Sequence, residues 1–530
     1  MSQSPCDLGP LAIVALVPWL VATRRAGPFE SVGIGIAMGV VYASAASSWL
    51  PAAFESQGSH GLQALLGALL AALWAKGLLF GAIGWVTQQL RARAAAIGVI
   101  VPAALLGLAE LWISESRLGI PLLLLGHSQA SVPGVAQLAV GIGVPGISAL
   151  LFAVNAALAS LLIDHRSAAR LATALAMAWL AAAGGGLPLA RSLQPHPTHL
   201  TSDTQVDTEP KFLLLVQPSI SRNRRWNPAS QGLVLDEMAA YTSRALGDAL
   251  RAADAILWPE NLLTSPLAEN SQLEGRLQAY VNGWRVPVIT GLVRESIAGV
   301  AGQYRSSALW LSPLVGQQSA IDKLRAIPLI ESRRGFWGRS LLAWMVGEAA
   351  QGPKVAEALS AGPLRGEFTL SPVLCFEILF PRLVADRRDE SSVAIVNLAD
   401  DSWAEGQVLD AQLVTAATFR AIEQRLTLVR VSHGGLSVAI DALGQQIVSL
   451  PPDSFAHALV EVSSAPPPSI IEKVSIPLLP VIAGSMTWFL CPWAARRLQR
   501  GRGSRMTRRT SSAQRLPWTR RVDRPRRRES

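Results

Sequence analysis

A chain of 530 residues, half of them hydrophobic and only 16% charged, leans away from an ordinary soluble globular protein and toward a membrane protein. The net charge of +10 does not mark a nucleic-acid binder, because 14 arginines between Arg496 and Arg528, set against Asp523 and Glu529, give +12 and leave about −2 for everything else. Cys6, Cys375 and Cys491 lie in three separate regions and exclude a disulfide framework, and seven scattered histidines give no metal-ligand cluster.

Seven apolar stretches are long enough to be read as membrane spans: Leu8 to Ala22, Ser31 to Leu50, Gly61 to Thr87, Ala94 to Ile113, Leu138 to Ile163, Ala168 to Ala190 and Val474 to Ala495. The first is the shortest and carries Pro18. Lys and Arg are retained on the cytoplasmic side, and Arg24, Arg25, Arg91, Arg93, Arg166, Arg170 and the terminal arginines follow alternate spans. This alternation predicts an N-terminus and a Gln194 to Lys473 segment outside the cytoplasm, with the tail inside. The expected organisation is a helical membrane domain over residues 1–193, a linker at 194–210 and an extracytoplasmic domain at 211–465. A last span at 474–495 and a basic, disordered tail at 496–530, resting on anionic lipid, complete it. Within the spans Lys76 and Glu110 stand out, since charge there is expensive unless paired or near water; a Lys76–Glu110 pair is one solution, snorkelling of Glu110 another.

After the polar linker, short apolar runs alternate with helical patterns. The runs Phe212 to Val216, Ala255 to Trp258, Val286 to Val293, Ala308 to Leu311, Leu370 to Phe376, Val393 to Leu398, Leu426 to Val431 and Leu436 to Ile440 read as strands. Leu233 to Ala253, Leu273 to Trp284 and Val408 to Arg425 read as helices, which together imply a layered domain with helices covering sheets. No phosphate-type glycine loop, dinucleotide fingerprint or internal repeat is present, and no cofactor is implied.

Cys375 is the sole cysteine of this domain and ends an apolar run. A free thiol is a weak nucleophile near neutral pH, because the thiolate attacks and its unperturbed pKa is roughly 8.5. Glu260, placed after an apolar run and Pro259, is a candidate general base. Lys323 is a candidate cation for the oxyanion, aided by the backbone N–H of Phe376. Singly, each has a plainer reading, a small core residue for the cysteine and solvated charges for the other two. Together they are the parts of a thiol acyl-enzyme.

The run Trp258-Pro259-Glu260-Asn261, the spacing of Lys323, Pro328 and Glu331, and Leu374-Cys375-Phe376-Glu377 resemble the Glu-Lys-Cys triad of the carbon-nitrogen hydrolase, or nitrilase, superfamily. With flanking spans, the arrangement is similar to the apolipoprotein N-acyltransferases. The likeness extends through Leu16-Val17-Pro18, Gly119-Ile120-Pro121 with Gly126 and Gln129, Val216-Gln217, Asn397, and Arg420-Ala421 with Glu423. It implies an α+β multi-domain membrane protein, with a nitrilase-like α-β-β-α sandwich on a polytopic helical membrane domain. It further implies a bacterial inner-membrane enzyme, monomeric, that moves an acyl chain from a phospholipid through a Cys375 thioester to the α-amine of a diacylglyceryl-cysteine apolipoprotein. By position, Glu260 is then the base, Lys323 the oxyanion cation, Glu331 a carboxylate orienting the lysine and Glu377 a support beside the nucleophile, with Trp226 and Trp403 binding substrate.

Three departures from the family pattern bear on efficiency. Ile330 stands where a glycine is expected before Glu331, Asp400-Asp401 where Asn-Asp is expected, and Gln412 where a histidine is expected. The family usually has eight spans, so the resemblance implies one fewer here. Arginines 333, 334 and 339, interleaved with Phe336, Trp337, Trp344 and Met345, suit a membrane interface, an ordinary loop-helix being the plainer reading. The competing functions are a membrane-tethered amidase with water as acceptor and a non-catalytic lipid- or lipoprotein-binding scaffold.

Overall fold

A computed structural model describes residues 8–56, 61–90, 95–116, 119–163, 169–192, 209–249, 251–295, 304–326, 362–403 and 407–464. Among these, five helices are long and apolar enough to cross a membrane: Pro28–Ala46, Leu62–Gln89, Ala96–Glu115, Ala139–Ile163 and Thr173–Ser192. The Leu8 to Ala22 stretch, expected as a first span, is instead a 3-10 turn, Gly9–Ile13, followed by the nine-residue helix Val17–Arg25. At 1.5 Å per residue such a helix is far short of a hydrocarbon core of about 30 Å. Each piece begins with a proline in its first turn, where the missing N–H costs nothing. The break is held from the Ala139–Ile163 helix, where the Asn155 amide accepts from Leu16 N at 2.9 Å and donates to the Ala12 carbonyl at 2.7 Å. The expected span at 474–495 and the interfacial segment at 333–345 lie outside the described residues.

The helical part packs through small residues. A Cβ on Gly39 would lie 2.4 Å from the Lys76 carbonyl oxygen, so only glycine lets the Pro28–Ala46 helix approach the neighbouring backbone there.

Among the described residues the second part contains twelve strands: β1 Lys211–Gln217, β2 Ala255–Glu260, β3 Val288–Glu295, β4 Tyr304–Ser312, β5 Gly316–Asp322, β6 Leu364–Arg365, β7 Thr369–Leu374, β8 Ser392–Asp400, β9 Leu428–His433, β10 Ser437–Ile440, β11 Gln446–Leu450 and β12 Ala456–Val462. They form two six-stranded sheets, ordered β12-β1-β2-β3-β4-β5 and β11-β10-β9-β8-β7-β6. The centres, β1-β2-β3 and β7-β8-β9, are parallel, and the remaining pairings are antiparallel. Successive side chains of a strand point to opposite faces. Leu213 and Leu215 of β1 therefore meet Val396, Leu398, Val429 and Val431 of the other sheet in the core between the sheets. Leu214 and Val216 face outward under Val234, Leu235, Met238, Leu273 and Leu277, from the helices Gln231–Asp248 and Ser271–Trp284. On the opposite outer face, Val373, Ile395, Leu428 and Val438 are covered by Leu409, Leu413 and Ala417 of the helix Gln407–Gln424. The layers are thus helix, sheet, sheet, helix.

The Gln407–Gln424 helix also docks the sandwich on the spans. Phe419 and Ile422 enter the same apolar cluster as Phe80, Val144 and Leu151. Gln412 accepts from Trp49 Nε1 at 3.3 Å and donates to the Ala46 carbonyl at 2.6 Å. Gln412 stands at the position where a histidine was expected, and it links the two parts of the protein.

Candidate active site

The residues that carry reactive groups collect at the carboxyl ends of strands. Glu260 is the last residue of β2 and Asp400 of β8, while Lys323 and Cys375 follow β5 and β7 directly. Strand ends free a side chain from the ladder while the sheet holds its backbone. Cys375 takes φ +47° and Asn261, just after Glu260, takes φ +58°. Left-handed backbone at non-glycine residues costs on the order of 1–3 kcal/mol and collects at functional sites, where the surroundings enforce it.

Glu260 and Lys323 are both essentially inaccessible, at 1% exposure each. They form an ion pair of 3.1 Å, Lys323 Nζ donating to Glu260 Oε1, which also accepts from Ser306 Oγ at 2.6 Å. Buried charges must be paired and hydrogen-bonded to be tolerated, which this geometry achieves. A Cβ on Gly291 would lie 2.8 Å from Glu260 Cα, so β3 can flank the glutamate only with glycine there.

Two supports connect Cys375 to this pair. Glu377 accepts from Leu374 N, Leu324 N and Arg325 N at 3.0, 2.5 and 3.0 Å, tying the residues on either side of the nucleophile to those just after Lys323. Its charge is balanced by Arg387 at 3.3 Å, which also donates to the Asp322 carbonyl at 2.7 Å. On the other side, Cys375 Sγ lies 3.8 Å from the Asp400 carbonyl oxygen. The Asp400 carboxylate receives Arg225 in a fork at 2.9 and 3.0 Å and is approached by Asn261 Nδ2 at 3.5 Å. Burial opposes ionisation of Asp400, but the Arg225 guanidinium and the Ser402 hydroxyl outweigh it and hold the carboxyl well below the usual carboxylate range. The aspartate found in place of asparagine is therefore matched by its own buried arginine.

Of the remaining predicted residues, Phe376 is buried against Phe380 at a ring separation of 5.8 Å. Trp403 is buried edge-on to Trp49 of the helical part, at 6.0 Å. Trp226 is half-buried and follows Arg225, with the Arg222 guanidinium 5.8 Å from its ring centre. Glu331 and Ile330 lie outside the described residues. Ser306, Arg225, Arg387 and Arg430 were not anticipated as partners. Arg430 donates to Asn397 and, at 2.5 Å, to Asp401. The signal for Arg430 was available, because an arginine inside the apolar run Leu426 to Val431 demands a buried acceptor.

Cys375 and Phe376 share one apolar cluster with Ala43, Ala53, Ala72, Leu122 and Leu123 from the helical part, with Tyr42 and Trp49 packed against it. The apolar surroundings of the thiol thus continue without interruption into the spans.

Close by, Asp410 is pushed up to about 7, first by burial and then by the Asp401 charge. The unfolded carboxyl ionises near pH 3.9. The folded protein therefore retains a proton that the unfolded chain has lost, and stability falls as pH rises from there to about 7, then levels. Asp410→Asn is expected to flatten this fall, worth at most about 4 kcal/mol at 1.36 kcal/mol per unit. Thermal unfolding of wild type and variant across that window checks it.

The two-sheet sandwich, the buried Glu260–Lys323 pair linked through Glu377 to the backbone around Cys375, and the apolar helices packed on the sandwich define the class: a membrane-embedded enzyme. Residues 1–157 match the family profile described as the apolipoprotein N-acyltransferase N-terminal domain. The chain is 26% identical over 382 residues to the apolipoprotein N-acyltransferase of Brucella melitensis, covering 69% of each chain. It is 28% identical over 410 residues to that of Bradyrhizobium diazoefficiens, covering 75% of this chain and 73% of the relative. With that of Sinorhizobium fredii it shares 26% over 475 residues, 85% of each. Over most of its length the chain is thus similar to apolipoprotein N-acyltransferases. Solved structures similar to part of it include an amidase from Nesterenkonia sp., at 15% identity and TM-score 0.36 over 54% of this chain and 97% of that one. Another is Saccharomyces cerevisiae Nit3, a member of branch 10 of the nitrilase superfamily, at 13% identity and TM-score 0.38 over 52% and 98%.

Proposed function

We propose that this protein takes a fatty acyl chain from a phospholipid onto Cys375 as a thioester and passes it to the α-amine of a diacylglyceryl-cysteine apolipoprotein. The observation that carries this reading is the buried Glu260–Lys323 pair beside a cysteine whose apolar surroundings run into the membrane helices. Glu260 takes the thiol proton, and the thiolate adds to the ester carbonyl of the lipid. Lys323, with the Phe376 N–H, stabilises the oxyanion. The lysophospholipid leaves as an alcohol, receiving the proton from Glu260. In the second half the amine attacks the thioester, Glu260 accepts its proton, and the thiolate that leaves takes that proton back, which restores the Cys375 thiol and the Glu260 carboxylate. A thioester keeps the acyl group activated toward an amine, and a site continuous with apolar helices lets the chain arrive without crossing water.

On this reading, residues 1–193 are the membrane part, 211–465 the catalytic domain outside the cytoplasm, 474–495 a further span and 496–530 a cytoplasmic tail. Trp226 and Trp403 border the substrate, Glu377 fixes the nucleophile's surroundings, and Glu331 orients Lys323. The arginine alternation supports the orientation and the inner membrane as location. Expression in a bacterium depleted of its own N-acyltransferase tests the proposal. Growth should be restored, and the lipoprotein N-terminus should gain the mass of one acyl chain. Normal membrane insertion without that mass change would refute it.

A further inference from the structure

Lys76 and Glu110 are buried at 3% and 0% exposure within two apolar helices, with Lys76 Nζ 2.8 Å from Glu110 Oε1. Ionisable groups at such depth are costly and are retained where they perform a task. Stability alone is a weak reason to keep them, because a well-packed apolar pair in their place is often neutral or better. The surroundings show what else the pair does. Lys76 lies in a π turn, Leu73–Gly77, a local widening of the helix that recurs at functional sites. Its ammonium also sits 5.9 Å from the centre of the Tyr42 ring. Tyr42 donates its hydroxyl to the Leu123 carbonyl at 3.3 Å, and Glu110 Oε1 accepts from Leu125 N at 3.1 Å.

Lys76 thus touches two of the groups that hold the segment 122–125, one at Leu123 and the other at Leu125, where His127 Nδ1 and Ser128 Oγ, from the next turn of the chain, also meet the Leu122 and Leu125 carbonyls at 3.2 and 2.7 Å. Leu122 and Leu123 in turn belong to the apolar cluster of Cys375 and Phe376. Apolar packing is non-directional and leaves such a segment free to slide. The bonds from His127 and Ser128 are local, whereas the two from Tyr42 and Glu110, linked through one ammonium, tie the segment to the helices beside it.

We infer that the Lys76–Glu110 pair is a positioning device that sets the 122–125 segment as a wall of the acyl-chain site and so determines which chain lengths Cys375 accepts. This rests on the acyl-transfer reading above. Both residues act through the segment, and neither touches the reacting atoms.

Purified full-length protein, incubated with a series of phospholipids of increasing acyl length, is followed by intact-protein mass spectrometry for the rate of adduct formation. The near-isosteric pair Lys76→Met with Glu110→Gln is expected to narrow the preference between the best and poorest chain lengths by about tenfold, the scale on which apolar pockets discriminate single methylenes. Lys76→Arg should keep the wild-type profile. Leu123→Ala, which trims the wall and leaves the pair intact, should move the optimum to longer chains. Should the charge-free pair fail to insert, Tyr42→Phe and Leu123→Ala carry the same reading. Variants that insert normally and slow all chain lengths alike, or leave the profile unchanged, overturn the inference. A wild type that forms no adduct with any phospholipid sinks the acyl-transfer reading itself and this inference with it.

Discussion

Cys375→Ala should abolish the acyl-enzyme. With phospholipid and no amine acceptor, the wild-type protein should gain the mass of one fatty acyl group, lose it to neutral hydroxylamine, and lose it again when a diacylglyceryl peptide with a free α-amine is added. The alanine variant should show no gain under any condition. Trimming a sulfhydryl at a buried position with left-handed backbone leaves the fold's other contacts in place, so unfolding should change little compared with the loss of chemistry. Cys375→Ser separates the nucleophile's identity from its position. Its hydroxyl is far harder to deprotonate with a carboxylate base, so adduct should form very slowly and, as an ester, discharge poorly to the amine. Transfer that continues in Cys375→Ala would exclude the covalent mechanism. Adduct discharged only by water would replace the transferase reading with an amidase.

Lys323→Met should reduce the rate of thioester formation about a hundred- to a thousandfold, equivalent to about 3 to 4 kcal/mol for one oxyanion partner removed. The same substitution also affects stability, because Lys323 and Glu260 are a buried ion pair. Removing one partner strands the other charge and typically costs about 3–5 kcal/mol of stability, whereas removing both is far milder. Lys323→Met and Glu260→Gln should therefore each lower the unfolding temperature, while the double variant recovers much of it and stays inactive. A double variant that regains activity together with stability would make the pair structural, and the base and oxyanion roles would have to be sought elsewhere.

The Arg225–Asp400 contact shows how much a sequence conceals in a single departure. Asp400 in place of the expected asparagine reads as a loss, since an extra carboxylate beside a nucleophile opposes thiolate formation. The folded chain brings Arg225, some 175 residues upstream, into a forked contact with it, and the added charge is balanced where it lies. No local pattern announces that pairing. By contrast, Trp258 to Asn261 and Leu374 to Glu377 were legible because each places its reactive residue at the end of an apolar run that can only be a buried strand.

Composition and hydropathy determined that this is a membrane protein with a layered α/β domain, because burial of apolar periodicity is a local property that each segment carries by itself. They also determined the candidates Glu260, Lys323 and Cys375, since few residue types can perform thiol acyl chemistry. Pairing of charges depends on which strand ends and helix faces converge, so only the tertiary structure decided that Lys323 meets Glu260, that Glu377 clamps the backbone after Lys323, and that Glu110 pairs with Lys76 and does not snorkel. It likewise broke the Leu8 to Ala22 stretch into two short pieces, because Asn155, far along the chain, satisfies the backbone groups that a continuous helix would have satisfied locally.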